Sequence, residues 1–289
     1  MSRLDPRLNA YRADLADLAL QGQVEAMRFV PGEPFCIAAS SAPLRRAPSD
    51  GAALDTEALR GEEVRVFETT RDGWSWAQLA VDRYVGWMPH AALAALGAEP
   101  THRVCVLRTL VFTEPDIKSP PLAGLPLGAV VTVVGAAEDH NARYALIDPA
   151  GAVVDQHLAP LVGTAADWTG VAELFVGTPY LWGGKTSLGI DCSGLIQIAF
   201  QMGGVAAPRD TDMQAAAVGE RLDVDLEAPQ GLARGDLLFW DGHAGIMVDA
   251  TRLLHANAFH MMTAVEPVAT ALARIAAAGL PLRAVRRIA

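Results

Sequence analysis

Gly189-Ile190-Asp191-Cys192-Ser193-Gly194 leads directly into the apolar run Leu195-Ile196-Gln197-Ile198-Ala199-Phe200-Gln201-Met202, which stops at Gly203-Gly204. The run predicts a helix over residues 195 to 202, and the preceding residues place Cys192 in the turn that opens it. A thiol in the first turn of a helix feels the positive end of the helix dipole, which stabilises thiolate and lowers the pKa. Cys192 is therefore a candidate nucleophile. The competing reading is a buried structural cysteine, the commoner fate of a single Cys. Cys36 and Cys105, each within an apolar strand, are read as core thiols. Three widely spaced cysteines suit neither a disulfide framework nor a zinc knuckle.

A thiolate nucleophile needs an imidazole to take its proton and return one to the leaving amine. Of the seven histidines, His243 opens the run His243-Ala244-Gly245-Ile246-Met247-Val248, and His255 lies in Leu253-Leu254-His255-Ala256-Asn257. A turn near Asp249 to Thr251 makes these runs a hairpin with the two histidines roughly opposite each other, about 5 Å apart at Cβ, on one face. One can then act as base and the other as the polar group that fixes its tautomer. Cys192, His243 and His255 could alternatively hold a catalytic zinc with one open position, although the segment around Cys192 lacks paired-ligand spacing. His90, His102, His140, His157 and His260 have no such surroundings and are read as ordinary strand histidines.

Working outward from the cysteine, residues 167 to 176 read as a helix capped by Thr164 or Asp167. Alternating runs at 236–240, 244–249, 252–258, 263–268 and 282–288 read as an antiparallel sheet. Helices followed by strands make residues 164–289 an α+β domain. Upstream, Phe35 to about Leu161 is a series of short β-rich runs separated by Gly, Pro and Asp. A repeat lies within it: Gly61 and Gly128, Val64 and Val131, and Val66 and Val133 are 67 apart, while Trp76 and Tyr144 are 68 apart. A constant offset over so many strands predicts two copies of a small β-barrel, at residues 30–98 and 99–163. Leu8, Tyr11, Leu15, Leu18 and Ala19 have helical spacing, so residues 1–29 are expected to form an N-terminal helical segment.

The 289 residues carry a formal charge of −10 and are 51% hydrophobic and 19% charged, which provides a core and argues against disorder and against nucleic acid as a partner. The uncharged stretch from 119 to 137 is broken by Pro120, Pro121, Gly124, Pro126, Gly128 and Gly135, so it predicts strands rather than a membrane span. The opening Met1-Ser2-Arg3-Leu4-Asp5-Pro6 lacks the apolar core of a secretory signal, and a cytoplasmic protein is expected.

Pro179-Tyr180-Leu181-Trp182-Gly183-Gly184, Asp191-Cys192-Ser193-Gly194-Leu195, Pro208-Arg209-Asp210, Gly235-Asp236-Leu237-Leu238-Phe239-Trp240, His243-Ala244-Gly245-Ile246 and His255-Ala256 follow one another in the order found in the NlpC-type papain-like peptidases of bacterial cell-wall metabolism, which residues 164–289 resemble. The resemblance implies Cys192 as nucleophile, His243 as general base and His255 as the residue that orients it. It also implies that the backbone amide of Cys192 helps to form the oxyanion hole, and that no metal or cofactor takes part. Trp74-Ser75-Trp76 and the closing Tyr84-Val85-Gly86-Trp87 make the first barrel similar to a bacterial SH3-like domain. The second keeps the strands without the tryptophans. Together with the peptidase segment, these domains resemble the γ-D-glutamyl-L-diamino acid endopeptidases of murein-peptide recycling. Those enzymes cut stem peptides bearing a free N-terminal L-alanine.

In these relatives a tyrosine and an acid of the first SH3-like domain bind the alanine α-amine. Tyr84 matches the tyrosine, and Asp50, Asp55 and Glu57 are the candidate acids, with Asp55 carried forward. Asp191, Ser193 and Thr211 match cleft-lining positions. Arg209 either pairs with a substrate carboxylate or is a solvated loop arginine or internal ion pair. The expected partner is a small L-Ala-γ-D-Glu-diamino acid peptide. A secreted hydrolase of intact wall and a catalytically silent peptide-binding module are the alternatives.

Overall fold

Gly61 and Gly128 adopt φ of +78° and +85°, and each donates its N–H to a carbonyl, of Ile37 and of Val104 respectively. Ile37 and Val104 stand 67 residues apart, as the two glycines do, so one turn is built twice. Only glycine adopts this conformation without steric cost. The computed structural model describes residues 4–288. It divides the chain into two compact units, Met1–Gly163 and Thr164–Ala289.

In the first unit, the leading barrel comprises β1 (Glu33–Ile37), β2 (Ser41–Arg45), β3 (Leu54–Leu59), β4 (Glu63–Thr69), β5 (Trp74–Leu79), β6 (Val85–Pro89) and β7 (Leu93–Ala95). The next comprises β8 (His102–Val104), β9 (Arg108–Phe112), β10 (Pro121–Pro126), β11 (Val130–Glu138), β12 (Arg143–Asp148), β13 (Ala152–Val154) and β14 (Leu158–Pro160). Their strand orders, β3-β2-β6-β5-β4-β1-β7 and β10-β9-β13-β12-β11-β8-β14, are the same order used twice. A register shift falls at Val66/Glu68 in β4 and again at Val133/Gly135 in β11. Ile37, Leu44, Ala58 and Val64 in one core correspond to Val104, Val111, Leu125 and Val131 in the other. Burying a Val, Leu or Ile contributes about 1.5–3 kcal/mol. This common set of core positions is what makes the repeat legible.

Residues 7–28 do not form the expected helix. Leu15 is fully buried and packs with Ala10 against Phe67 and Trp76, whereas Leu18 is 45% exposed, so the apolar residues do not share a helical face. The Asp17 carboxylate accepts the Ala19 N–H over a single 3-10 turn at Leu18–Leu20, and Ala16–Asp17 pairs in parallel with Phe29–Val30. The Arg12 guanidinium stacks 4.3 Å from the Trp76 ring centroid and pairs with Glu68. Cys36 and Cys105 are half-buried rather than in the cores.

The second unit contains α1 (Trp168–Glu173), α2 (Cys192–Met202), α3 (Thr211–Ala217), β15 (Glu220–Arg221), β16 (Leu237–Trp240), β17 (His243–Met247), β18 (Arg252–Asn257), β19 (Met262–Pro267), α4 (Val268–Ala277) and β20 (Ala284–Arg287). The sheet order is β15-β20-β16-β17-β18-β19. Asp167 caps α1 by accepting the Gly170 N–H. Every residue of α2 except Gln201 is buried, which explains a run that is apolar on all sides. The sheet packs Leu238, Trp240, Met247, Leu253 and Val285 against Val268, Leu272 and Ile275 of α4. The short Ala-rich segment that forms α4, and α3, are helices that the sequence patterns do not mark. Among the described residues, no helix is long and apolar enough to cross a membrane.

Candidate active site

Asp191 fixes the start of α2. Its Oδ1 accepts the Gly194 N–H at 2.7 Å and its Oδ2 the Gly183 N–H at 2.8 Å, tying the preceding loop to the first helical turn. An Asp at the N-cap satisfies donors that the helix leaves unpaired. Arg209 clamps the same carboxylate with Nη1 on Oδ1 at 3.0 Å and Nη2 on Oδ2 at 2.7 Å, and Nη1 also reaches Ser193 Oγ at 2.7 Å. Arg209 is 1% exposed, so of its alternative roles the structure displays the internal ion pair. Asp191 and Ser193 are likewise buried, 6% and 5% exposed, and take part in this clamp. Thr211 is half-buried in the first turn of α3.

This cap holds Cys192, the first residue of α2. Burial pushes the thiol up to about 12, reinforced by the Asp191 charge and opposed by the Ala244 N–H, Arg209 and the Ser193 N–H. The dipole-driven lowering expected from sequence is outweighed, because a desolvated thiolate loses more than the helix start returns. Burial raises the Tyr180 phenol, and its neighbours Cys192 and Asp191 act in the same direction.

His243 opens β17 next to Ala244, whose N–H reaches the cysteine. Its Nε2 lies 2.8 Å from His255 Nδ1. The ladder pairs Ile246 with Leu254 and Met247 with Leu253. Continuing that register sets Gly245, not His243, opposite His255, so the two imidazoles meet along a diagonal rather than directly across. A Cβ on Gly245 would lie 3.2 Å from His255 Cβ and 2.9 Å from Leu253 Cδ1, and its absence leaves room for the diagonal.

Burial lowers His243 to about 3, with the neighbouring His255 and Arg274 acting in the same direction. It lowers His255 to about 4 against the opposing pull of Glu266. Burial thus acts on all three groups in the direction of their neutral forms. The zinc alternative does not match this geometry: His243 and His255 direct ring nitrogens at each other, and the second nitrogen of His255 lies 2.8 Å from Glu266 Oε1. His255, His260 and Glu266 do have donor atoms within 4.8 Å of one another, but the Arg274 guanidinium already shares Glu266 Oε1, so a cation there would face a positive charge. Glu266 and Arg274 are residues of this site that lie outside the motifs, and Tyr180 lies within the first of them without a role assigned to it. The signal available for Glu266 was strand alternation beyond His255.

In the first unit, Tyr84 is 5% exposed and packs within the leading barrel core. Asp55 Oδ1 pairs with Arg46 at 2.6 Å. Glu57 accepts from Ser41 Oγ at 3.4 Å.

A buried cysteine at a helix start, followed by a hydrogen-bonded histidine pair on adjacent strands, is the layout of a papain-like cysteine peptidase. Two family models match the chain: the Bacterial dipeptidyl-peptidase Sh3 domain over residues 44–93, and the NlpC/P60 family over residues 177–273. The dipeptidyl-peptidase 6 of Lysinibacillus sphaericus is 27% identical over 76% of this chain and 86% of its own length. The γ-D-glutamyl-L-lysine dipeptidyl-peptidase of Bacillus subtilis is 32% identical over 70% of this chain and 72% of its own. In fold, the crystal structure of an NlpC/P60 family protein from Bacillus cereus superposes with a TM-score of 0.71 at 20% identity, covering 88% of this chain and 99% of that one. The chain belongs to the NlpC/P60 family and is a cysteine peptidase with an N-terminal SH3-like domain.

Proposed function

We propose that this enzyme cleaves the γ-D-glutamyl-diamino acid bond of free murein stem peptides with an unblocked N-terminal L-alanine, in the cytoplasm. The observation that carries the chemistry is the hydrogen-bonded sequence of His243 and His255 beside the capped Cys192. The substrate class is supported by relatives named for dipeptidyl-peptidase activity, one of them on γ-D-glutamyl-L-lysine.

In this reading His243 uses Nε2 toward His255 and takes the Cys192 proton at Nδ1. Sγ forms a bond to the γ-carbonyl carbon of D-glutamate, and the oxyanion is met by the Cys192 backbone N–H. Collapse breaks the C–N bond as His243 returns the proton to the departing amine, leaving a thioester. Water, deprotonated by the same imidazole, then releases the dipeptide and the thiol.

The relatives assign recognition of the α-amine to an acid and a tyrosine of the first SH3-like domain; Tyr84 is packed in the barrel core here, so the acid is the group carried into this proposal, with Asp55 on β3 first among the candidates. An ammonium in a partly desolvated site needs a carboxylate, and a site built around that pair rejects a ligand without the charge. Murein in the wall has this alanine amide-linked, so such a site spares it. The test is a mass-spectrometric digest of stem peptides with free and acetylated alanine, alongside intact sacculi. Cleavage of the free peptide alone supports the reading. Equal rates on the acetylated peptide, or release from sacculi, would overturn the substrate assignment.

A further inference from the structure

His243, His255 and Glu266 lie on three successive strands, β17, β18 and β19. The β18–β19 ladder pairs Leu253 with Glu266 and His255 with Ala264. Glu266 is therefore on the same sheet face as His255 and one diagonal step away, the relation that His255 itself bears to His243. The two steps give two contacts of 2.8 Å: His243 Nε2 to His255 Nδ1, and His255 Nε2 to Glu266 Oε1. Arg274, in the last turn of α4, bonds to that same Oε1 and stacks 4.2 Å from the Phe259 ring centroid.

We infer that Glu266, held by Arg274, is a positioning residue that sets the tautomer of His255 and through it the nitrogen with which His243 acts as base. The inference rests on the proposed roles of Cys192 and His243. Its logic is one of donors and acceptors. A carboxylate oxygen that already takes a guanidinium can only accept, so His255 must present Nε2–H to it. A neutral His255 with its proton on Nε2 has a lone pair at Nδ1. His243 must then donate Nε2–H to that lone pair, and its own basic nitrogen is Nδ1. Burial acts to raise the Glu266 carboxyl, but Arg274 and His255 outweigh it and hold the group below the ordinary range, consistent with an obligate acceptor.

An ion pair that merely tied α4 to the sheet would not need the oxygen that receives Arg274 to receive His255 as well. A further imidazole near this cluster is that of His260, with its centroid 6.3 Å from that of His255; its Nδ1 lies 3.0 Å from Asn257 Oδ1. It does not enter the relay.

The experiment uses the full chain with 15N-labelled histidine. Nitrogen spectra distinguish a protonated ring nitrogen from one bearing a lone pair, and the His255 signals are assigned by substitution. In the unaltered enzyme, His255 is expected to show Nε2 protonated and Nδ1 bare. Glu266→Leu should lose that tautomer preference and about 100-fold in kcat, with KM within about threefold, by analogy with the larger loss when a triad imidazole adopts the wrong tautomer. Glu266→Gln keeps an amide oxygen able to accept from both His255 and Arg274, and should retain the tautomer and stay within about fivefold in kcat.

A protonated Nδ1 on His255 in the unaltered enzyme overturns the inference, whatever the variants do and whether or not Glu266→Leu folds. So does an unchanged tautomer with kcat within threefold in a folded Glu266→Leu. Because the spectrum does not require turnover, activity surviving in Cys192→Ala would sink the proposed nucleophile separately.

Discussion

Arg209 holds Asp191 in a two-pronged ion pair whose side chains are 1% and 8% exposed, and that carboxylate is also the N-cap of the helix that begins with Cys192. Removing one partner of a buried pair leaves an uncompensated charge, at a cost of about 3–5 kcal/mol. Arg209→Met should therefore lower the urea midpoint by that equivalent. Arg209→Lys should restore only part of it, since an ammonium cannot reproduce the two-pronged geometry. Urea titrations followed by circular dichroism check both.

Gly245 controls how close β17 and β18 can place the two histidines. An added methyl would press on His255 Cβ and Leu253 Cδ1, and overpacking of this kind costs about 1–3 kcal/mol. Gly245→Ala is expected to lose activity beyond its loss of stability, because the displaced group is His255 itself. Comparing kcat at a temperature where the variant remains folded with its melting curve separates the two effects.

Cys192→Ala should abolish turnover, by about 10⁴-fold or more, without lowering the melting temperature appreciably, since a small buried side chain replaces another. His243→Ala should lose activity to a similar extent, because nucleophile and base act as one unit and their losses do not add. A double variant as active as either single one is the result to look for in the peptide digest.

His255 is fully buried, and burial holds its pKa at about 4, below the 6.5 of a free imidazole. Below pH 6.5 the unfolded chain takes up a proton there that the native state does not. The stability that this neutral histidine contributes is complete above pH 6.5 and is lost as pH falls toward 4. The slope is at most about 1.4 kcal/mol per pH unit. Urea unfolding at steps from pH 7.5 to 4.5 should show this decline, and His255→Asn should flatten it. An identical slope in that variant would show that other groups account for the acid sensitivity.

Much of this molecule was legible in the order of its residues. Offsets of 67 mark the paired barrels because each copy needs the same glycine turn and the same apolar positions to close its core. The helix carrying Cys192 and the strands carrying His243 and His255 were legible for a similar reason: local periodicity and short-range turn chemistry act within a few residues. The helix expected over residues 7–28 failed because periodicity says nothing of the surface it will meet, and Leu15 and Ala10 found theirs on Phe67 and Trp76.

Tertiary structure alone decided which way the electrostatics fell. A helix start lowers a thiol in isolation, but the desolvation that raises Cys192 depends on everything folded around it. Tertiary structure also recruited Glu266 and Arg274, since a diagonal across three strands and a helix folded back on them bring together residues that no motif joins. The sequence by itself determined the reacting groups and the elements that carry them. Packing determined their protonation and their orientation, because both depend on how far water is excluded and on which donors face which acceptors.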